Sequence, residues 1–380
     1  MMIIDKIEKF LFEAPFWKFI SLLFIIMLFK TGIFYQPNLF DIYLEAAKNP
    51  YNNIFIDRPD HQFAYTSYFG GWLAFILGAT NKTSFFLLHL FLSILSSFLF
   101  IKIVLKNFSN EAARISLILF FIFPVSSTIY YLVGYDSFTI FFMTLGLYLK
   151  RYTSITLLIG ILLGLQHFEL SFFGSGALFL GILISIIIKE RKINVILFPL
   201  SLFIGTILGK IFLYYIFEFN NMNIVNDRAT WYIESLPHLL HTFFFRFYNI
   251  IWFSIGIGWF VIFKFYNTIN KKISFFLPFI CMVLMLMIIP DTTRTFSVMS
   301  FLLISYFIFL NEDFLKAVSR IEITIIFILW AIIPYGWVWQ GIPRPSHLSY
   351  TIGYILKNFV DWFDKSGIDA SFVWPYFHAF

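Results

Sequence analysis

The side chains able to do chemistry in this chain sit in a few short stretches. In MIIPDTTRTFSVMSF (287–301), Asp291, Thr292 and Arg294 stand between two apolar segments. Asp291 is placed to cap a helix that starts there, because a carboxylate accepts from the unpaired N–H groups of the first turn. Arg294 is harder to explain, since a cation in the first turn opposes the helix dipole. An anion beside it removes the conflict, because a helix N-terminus and a guanidinium both attract phosphate. The purely structural alternative is an Asp291–Arg294 ion pair three residues apart. GYDSF puts Asp136 at the entry of another apolar segment, and GLQHFEL puts His167 and Glu169 between two more. Ionisable groups at membrane depth are costly and suggest function, with helix capping as the rival for Asp136 and a local pair as the rival for His167–Glu169.

Two longer polar stretches add to these. In PNLFDIYLEAAKNP, Asp41 follows the first apolar run by six residues. Partial desolvation there would suit a carboxylate to general-base work; capping of an interfacial helix is the plain alternative. IDRPDHQ packs Asp57, Arg58, Asp60 and His61 into five positions. These types suit a phosphate or sugar hydroxyls, or a divalent cation held by Asp57, Asp60 and His61; the spacing also suits a turn fixed by Pro59. NDRATWYIESLPHLLH contributes Asp227, Arg228, Glu234, His238 and His241.

The elements that must position these groups are membrane helices. Of 380 residues 60% are hydrophobic and 13% charged, and the mean hydropathy is +0.83. No soluble core accommodates that much apolar surface, so the composition predicts an all-α polytopic membrane protein. The 55 phenylalanines and the preference for lysine over arginine fit an AT-rich, bacterial genome. The lone Cys281 excludes an intramolecular disulfide and a thiol-based metal site. The net charge of +6 needs no nucleic acid as partner, because cytoplasmic loops of membrane proteins collect Lys and Arg.

Hydropathy predicts about eleven spans: 17–35, 84–105, 113–132, 135–149, 153–167, 170–189, 194–217, 246–264, 273–290, 295–311 and 322–338. The segment 66–80, with Gly70-Gly71, reads equally as a span or a re-entrant helix. If it does not cross, most of the 27 basic residues fall on one side with the N-terminus, which is then cytoplasmic. Most of the 21 acidic residues fall on the other, outer side. That side carries the long loops 36–83 and 218–245. It also carries a tail, 339–380, after the membrane domain 1–338. In the tail Ile352, Ile355, Phe359 and Trp362 oppose Lys357, Asp361 and Asp364, the pattern of an amphipathic helix at a membrane surface.

The order of these parts resembles the GT-C superfamily of integral-membrane glycosyltransferases, which use polyprenyl-phosphate-linked sugars. LFDIYLEAAKNP resembles the family's first outer loop, with interfacial helices. GYDSFTIFFMTLGLYLKRYTSITLLIGILLGLQHFELSFFG resembles its span–turn–span block, although Gln166-His167-Phe168-Glu169 departs from the family's usual turn. The resemblance covers about residues 17–310. It implies that Asp41 is the catalytic base, deprotonating an acceptor hydroxyl that attacks the anomeric carbon, with Asp57 and Asp60 as alternative bases. The dipole conflict at Arg294 implies in addition that it grips the lipid phosphate while Asp291 and Thr292 orient it. Asp136, His167, Glu169, Arg58, Asp57, Asp60 and Arg228 are the further substrate-binding candidates. The resemblance also implies a lipid-linked donor, a glycan or lipid-linked acceptor, and a working face on the outside of the bacterial inner membrane. A divalent metal is an option the family often does without. Two other readings fit part of the pattern. An O-antigen or capsular polysaccharide polymerase would use a late, arginine-bearing outer loop. A flippase or transporter would place polar groups at mid-membrane and show internal repeats.

Overall fold

The computed structural model describes residues 2–33, 37–224, 228–269, 272–333, 336–339 and 341–345. The N-terminal helices α1 (Met2–Glu13) and α2 (Phe16–Thr31) meet at a corner of 117°. The first long loop folds into α3 (Pro37–Lys48), a 3-10 turn at Pro59–Ser67 and α4 (Tyr68–Ile76). Next come α5 (Lys82–Asn107), α6 (Asn110–Ile122), α7 (Pro124–Tyr131), α8 (Asp136–Tyr148), α9 (Thr153–Ile187) and α10 (Leu197–Phe219). The C-terminal part holds α11 (Arg228–Phe245), α12 (Phe247–Ile255), α13 (Gly258–Thr268), α14 (Ile273–Met285), α15 (Thr292–Ile304), α16 (Glu312–Ala317) and α17 (Arg320–Ile332). A two-stranded antiparallel hairpin, β1 (Gly336–Trp339) and β2 (Ile342–Pro345), follows.

The helices are sorted as a membrane demands. On α5, Leu87, Phe91, Ile94 and Phe98 form an exposed apolar stripe. The opposite face buries Ser93, Ser96 and Ser97. Ser93 meets the Ser137 hydroxyl at 2.8 Å, and Ser97 meets the Tyr130 hydroxyl at 3.0 Å. Apolar side chains outside and small polar ones between helices reverse the usual soluble pattern, because lipid offers no hydrophobic reward for burial.

By length and composition four helices can cross a membrane, or up to seven if each bent pair is one span. The eleven expected spans are not confirmed by this count, and several of the apolar runs are broken or short. The 113–132 run breaks by 52° at Phe123-Pro124, where proline removes an N–H from the ladder. The 246–264 run breaks by 78° between α12 and α13. The 66–80 segment contains only α4, nine residues or about 14 Å, too short to cross. The 218–245 segment is largely the helix α11 rather than an extended loop. The last run, 322–338, is 13 residues of α17 followed by the β-hairpin, so the architecture is not purely helical. The tail from 346 onward lies outside the described residues.

Helix α9 reverses direction at His167, whose φ/ψ of −160°/86° is non-helical. Helix α8 serves as the ruler. Near its C-terminal end, Gly146 lies beside Ile159; just before its N-terminus, the Tyr135 carbonyl meets Gln166. Beyond His167 the chain returns, and Gly174 lies against Met143. The segments 153–166 and 168–187 are therefore two limbs, about 21 and 30 Å long. The first limb crosses α10 at a glycine seam, Gly160 on Gly205 and Gly164 on Gly209. A Cβ on Gly164 would lie 2.8 Å from the Gly209 Cα, so only glycine allows this approach.

At the end away from Asp136 the bundle is tied by charge. Arg320 holds Glu111 through two bonds of 2.6 and 2.9 Å, and Lys264 holds Glu322 at 2.6 Å. Arg114 donates to the carbonyls of Leu11 (2.7 Å) and Ala14 (2.5 Å), fixing the α1–α2 corner.

The seam yields a stability test. Gly164→Leu should destabilise the detergent-solubilised protein by about 1–3 kcal/mol or more, the cost typical of overpacking, read as a lower thermal unfolding temperature. Gly176→Ala meets only the Phe203 ring, at 3.1 Å, and should cost far less. Equal effects would rule out the close crossing.

Candidate functional site

The N-terminal ends of α8 and α15 lie side by side and carry opposite charges. Asp136 opens α8 but makes no capping bond. Its Oδ2 accepts from Arg294 Nη1 at 2.7 Å. The same Nη1 donates to the Tyr135 hydroxyl at 2.5 Å. Asp291 likewise makes no side-chain cap; its carboxylate accepts from Arg294 Nε. Both capping expectations are thus corrected, because each carboxylate gains more from a buried guanidinium than from an N–H dipole. Two unit charges near a protein surface attract by about 4 kcal/mol at 4 Å, against about 0.3–2 kcal/mol for a helix terminus.

The conflict raised by Arg294 in a first helical turn is resolved inside the protein. The anion it requires is Asp136, 158 residues away in sequence, together with Asp291. The phosphate grip expected of Arg294 is correspondingly disfavoured. Two carboxylates already face one guanidinium, and the side chains of Asp136 and Arg294 are only 2% and 13% exposed. Thr292 is buried beside the cluster, and its Oγ1 makes no hydrogen bond among the described residues. Thr293 Oγ1 accepts from the Val338 N–H at 3.1 Å, and Asp291 forms a β-bridge to Trp339. The hairpin is thereby docked on the cluster, with Trp337 stacked on Tyr131 at 4.2 Å.

Tyr135 joins the cluster to the first-loop layer. One side of its ring meets Tyr43 at 4.6 Å, and it stacks on His167 at 5.4 Å. Gln166 holds its carbonyl through Nε2 (3.1 Å) and takes the Gly70 N–H through Oε1 (2.7 Å). His167 Nδ1 lies 3.6 Å from Glu169 Oε2, so these two do form a local pair at the reversal of α9. A narrow cleft, with about 350 Å³ of empty space when the solvent at its mouth is included, lies between α3, α4, α5 and Tyr135. Its lining includes Tyr43, Tyr65, Tyr68, Trp72, Tyr135 and Gln166, with no Asp, Glu, Lys or Arg among the described residues. Burial pushes the Tyr65 phenol up in pKa, and burial reinforced by Tyr51 pushes Tyr68 to about 12, so both stay neutral. A second, narrower cleft lies between Phe40, Tyr43 and residues 132–136 and reaches Asp136.

The remaining first-loop candidates do not join the cluster. Asp41 lies on the outward face of α3, 42% exposed and 3.3 Å from Lys82, not desolvated as expected. Arg58 pairs with Glu45 at 3.3 Å, Asp60 with His61 at 3.5 Å, and Asp57 is exposed. Among the described residues no three His, Cys, Asp or Glu side chains gather to hold a metal, so Asp57, Asp60 and His61 form no such group. Asp227 and the side chain of Arg228 lie outside the described residues. Sequence reasoning missed Tyr135, Tyr43, Gln166 and the hairpin. Tyr135 directly before Asp136 in GYD, and Tyr43 two residues after Asp41 in DIY, were the available signals for the two tyrosines.

Fold and site together define a mostly helical protein with apolar spans and a buried acid–arginine cluster at one end of the bundle. No known protein family, curated protein or solved structure matches the chain.

Removing one partner from the cluster should be costly. Arg294→Gln leaves the buried Asp136 carboxylate without its cation and beside the partly exposed Asp291, and should destabilise the protein by about 3–5 kcal/mol. Asp291→Asn, at a side chain 23% exposed, should cost clearly less. Thermal unfolding of both variants tests this; an unchanged transition in Arg294→Gln would remove the cluster from any role in joining α8 to α15.

Proposed function

We propose that the protein is a membrane glycosyltransferase that moves a sugar from a polyprenyl-phosphate-linked donor to a glycan or lipid-linked acceptor, in the manner of the GT-C superfamily. The observation that carries this reading is Tyr135. Its ring walls the uncharged aromatic cavity, while its hydroxyl is held by the buried Arg294–Asp136 pair. A neutral aromatic cavity suits a sugar ring, and an adjoining desolvated carboxylate suits proton removal.

The base moves from Asp41 to Asp136. Oδ1 of Asp136 is buried and makes no hydrogen bond among the described residues. The cluster holds two carboxylates and one guanidinium, so accepting one proton balances its charge. In the proposed step the acceptor hydroxyl gives its proton to Asp136 Oδ1. Its oxygen then bonds to the anomeric carbon, and the carbon–oxygen bond to the lipid phosphate breaks. The acceptor enters by the smaller cavity and the sugar occupies the larger one. Transfer then requires Tyr43 and Tyr135, their common wall, to part.

With Arg294 already balanced, the lipid phosphate falls to another cation. Lys210 forms no ion pair among the described residues and lies 5.4 Å from the Phe168 ring, just past the reversal of α9. It shares a face of α10 with Phe217, which packs on Tyr65 and Tyr68 two turns further on, about 10 Å away. The site end of the bundle would face outward from a bacterial inner membrane, with the basic end cytoplasmic. The polymerase alternative rests on a late arginine-bearing loop. The helix α11 occupies most of that segment, which leaves the transferase better supported.

Asp136→Asn should cut transfer by about 10²–10⁴-fold, the usual worth of a general base. Asp41→Asn should leave most of it. Lipid-linked glycans extracted from cells carrying each variant measure this: shortened glycans in Asp136→Asn support a transferase. Single unpolymerised units would point to a polymerase, glycans held on the inner leaflet to a flippase, and unchanged glycans would sink the reading.

A further inference from the structure

The end of the bundle away from Asp136 gathers cations that carry no counter-ion. Lys102, Lys106, Lys150, Arg151 and Arg191 form no ion pair among the described residues. Acids at this end are engaged elsewhere: Glu111 with Arg320, Glu322 with Lys264 and Glu312 with Lys316. Glu190, next to Arg191 in sequence, accepts from the Ser274 hydroxyl at 2.7 Å. Two tyrosines collect the cations instead. Lys102 Nζ and Lys106 Nζ each lie 5.5 Å from the Tyr148 ring. Lys150 Nζ lies 5.7 Å from the Tyr306 ring, and the Arg191 guanidinium lies 4.9 Å from the same ring. Arg191 Nη1 also donates to the Tyr306 hydroxyl at 3.0 Å. A ring attracts a cation without cancelling its charge, so like charges are brought together unbalanced. Desolvation against the bundle end, then repulsion by Arg151 and Arg191, lowers the Lys150 pKa below its usual value.

The backbone departs from regular helix at both places that build this arrangement. Tyr306 sits in a π-helical turn, Ser305–Phe309, closed by the Leu310 N–H on the Ser305 carbonyl at 2.8 Å. Such turns are rare and frequent at functional sites. Just past α9, Lys189 adopts a left-handed φ of 58°, uncommon for a residue with a Cβ. There the N–H groups of Glu190 and Arg191 both reach the Ser185 carbonyl, at 2.7 and 3.2 Å. The chain thus turns back, and Arg191 comes to lie over Tyr306 and, at 5.5 Å, over Phe307. Along the same two turns of chain the surface is apolar, with Tyr152, Ile187, Ile193 and Leu197 exposed. Cations flanked by exposed apolar side chains suit a ligand with an anionic head and hydrocarbon tails.

We propose that Lys150 and Arg191, set around Tyr306, bind the phosphate of an anionic phospholipid headgroup in the leaflet that this end of the bundle faces. Arg191 gives one N–H to Tyr306 and keeps the rest of its fork for phosphate oxygens. Arg151, Lys102 and Lys106 add attraction without a contact of their own. The apolar flank commits the site to a lipid rather than to a soluble anion. The inference stands apart from the transferase reading, which concerns the opposite end of the bundle.

Native mass spectrometry of the purified full chain in detergent tests this, with dioleoyl phosphatidylglycerol and dioleoyl phosphatidylcholine as probes. The two share their tails and their phosphate, and only the first has a net negative headgroup. Phosphatidylglycerol should bind tighter by about fivefold or more. Lys150→Gln and Arg191→Gln should each weaken its binding by roughly fivefold, the worth of one cation beside an anionic headgroup, and leave phosphatidylcholine unchanged. Lys48→Gln, on α3 at the other end of the bundle, should alter neither. Equal affinity for the two lipids overturns the proposal, as does full phosphatidylglycerol binding in either of the first two variants. An equal loss in Lys48→Gln overturns it as well, since it would mark a diffuse effect of net charge. Millimolar inorganic phosphate should displace no more phosphatidylglycerol than sodium chloride of equal ionic strength; greater displacement would assign the site to a soluble anion and overturn the lipid. Should Arg191→Gln fail to fold, Lys150→Gln decides alone, because Lys150 is exposed in the turn between α8 and α9. Weakened binding there supports the proposal and full binding overturns it.

Discussion

The buried contact between Arg294 and Asp136 is the constraint on which the rest of the site depends. It fixes the start of α8 against the start of α15, two helices more than 150 residues apart in sequence. Tyr135 must then face the first-loop layer, because its hydroxyl shares the nitrogen that Asp136 uses. Asp291 completes the guanidinium shell, and its backbone anchors the hairpin after α17. An unpaired charge at this depth would cost several kcal/mol, so loss of one member propagates to all the elements it joins.

The second determinant is directional. A 35-residue apolar helix could run well past the thickness of a bilayer; the reversal at His167 instead folds it to membrane depth and brings Gln166 and His167 up beside Tyr135. The glycine seam with α10 holds the first limb, and Gly174 against the Met299 carbonyl and Met143 seats the second against α15 and α8. The turn is thus a support for the tyrosine that separates the two cavities, which accounts for polar residues in an otherwise apolar helix.

Composition made the membrane character and the helical build legible, because burying so much apolar surface in water is impossible. The sequence also pointed to Asp136, His167, Asp291 and Arg294, since each is expensive where it stands. What it could not supply was pairing. Asp291 and Asp136 each read as caps of their own helices, and only the packing of α8 on α15 turns both toward one guanidinium. Asp41 misled for a related reason. Distance from an apolar run predicted desolvation, yet the helical phase of α3 turns Tyr43 and Ala47 inward and leaves Asp41 outward beside Lys82. Breaks such as Phe123-Pro124 and the α12–α13 bend were hidden because a hydropathy window reads composition and not direction.

The site divides its labour by charge. Arg294, Asp136 and Asp291 gather formal charge on one side of Tyr135, and the cavity across it is lined by no Asp, Glu, Lys or Arg among the described residues. This separation has a physical reason. A cation in the cavity would draw the Asp136 carboxylate away from Arg294 or bind anions indiscriminately, while a carboxylate there would repel the pair already in excess over the guanidinium. An uncharged occupant of the cavity would leave the cluster undisturbed, and Tyr135 is the side chain that both walls the cavity and meets the buried pair.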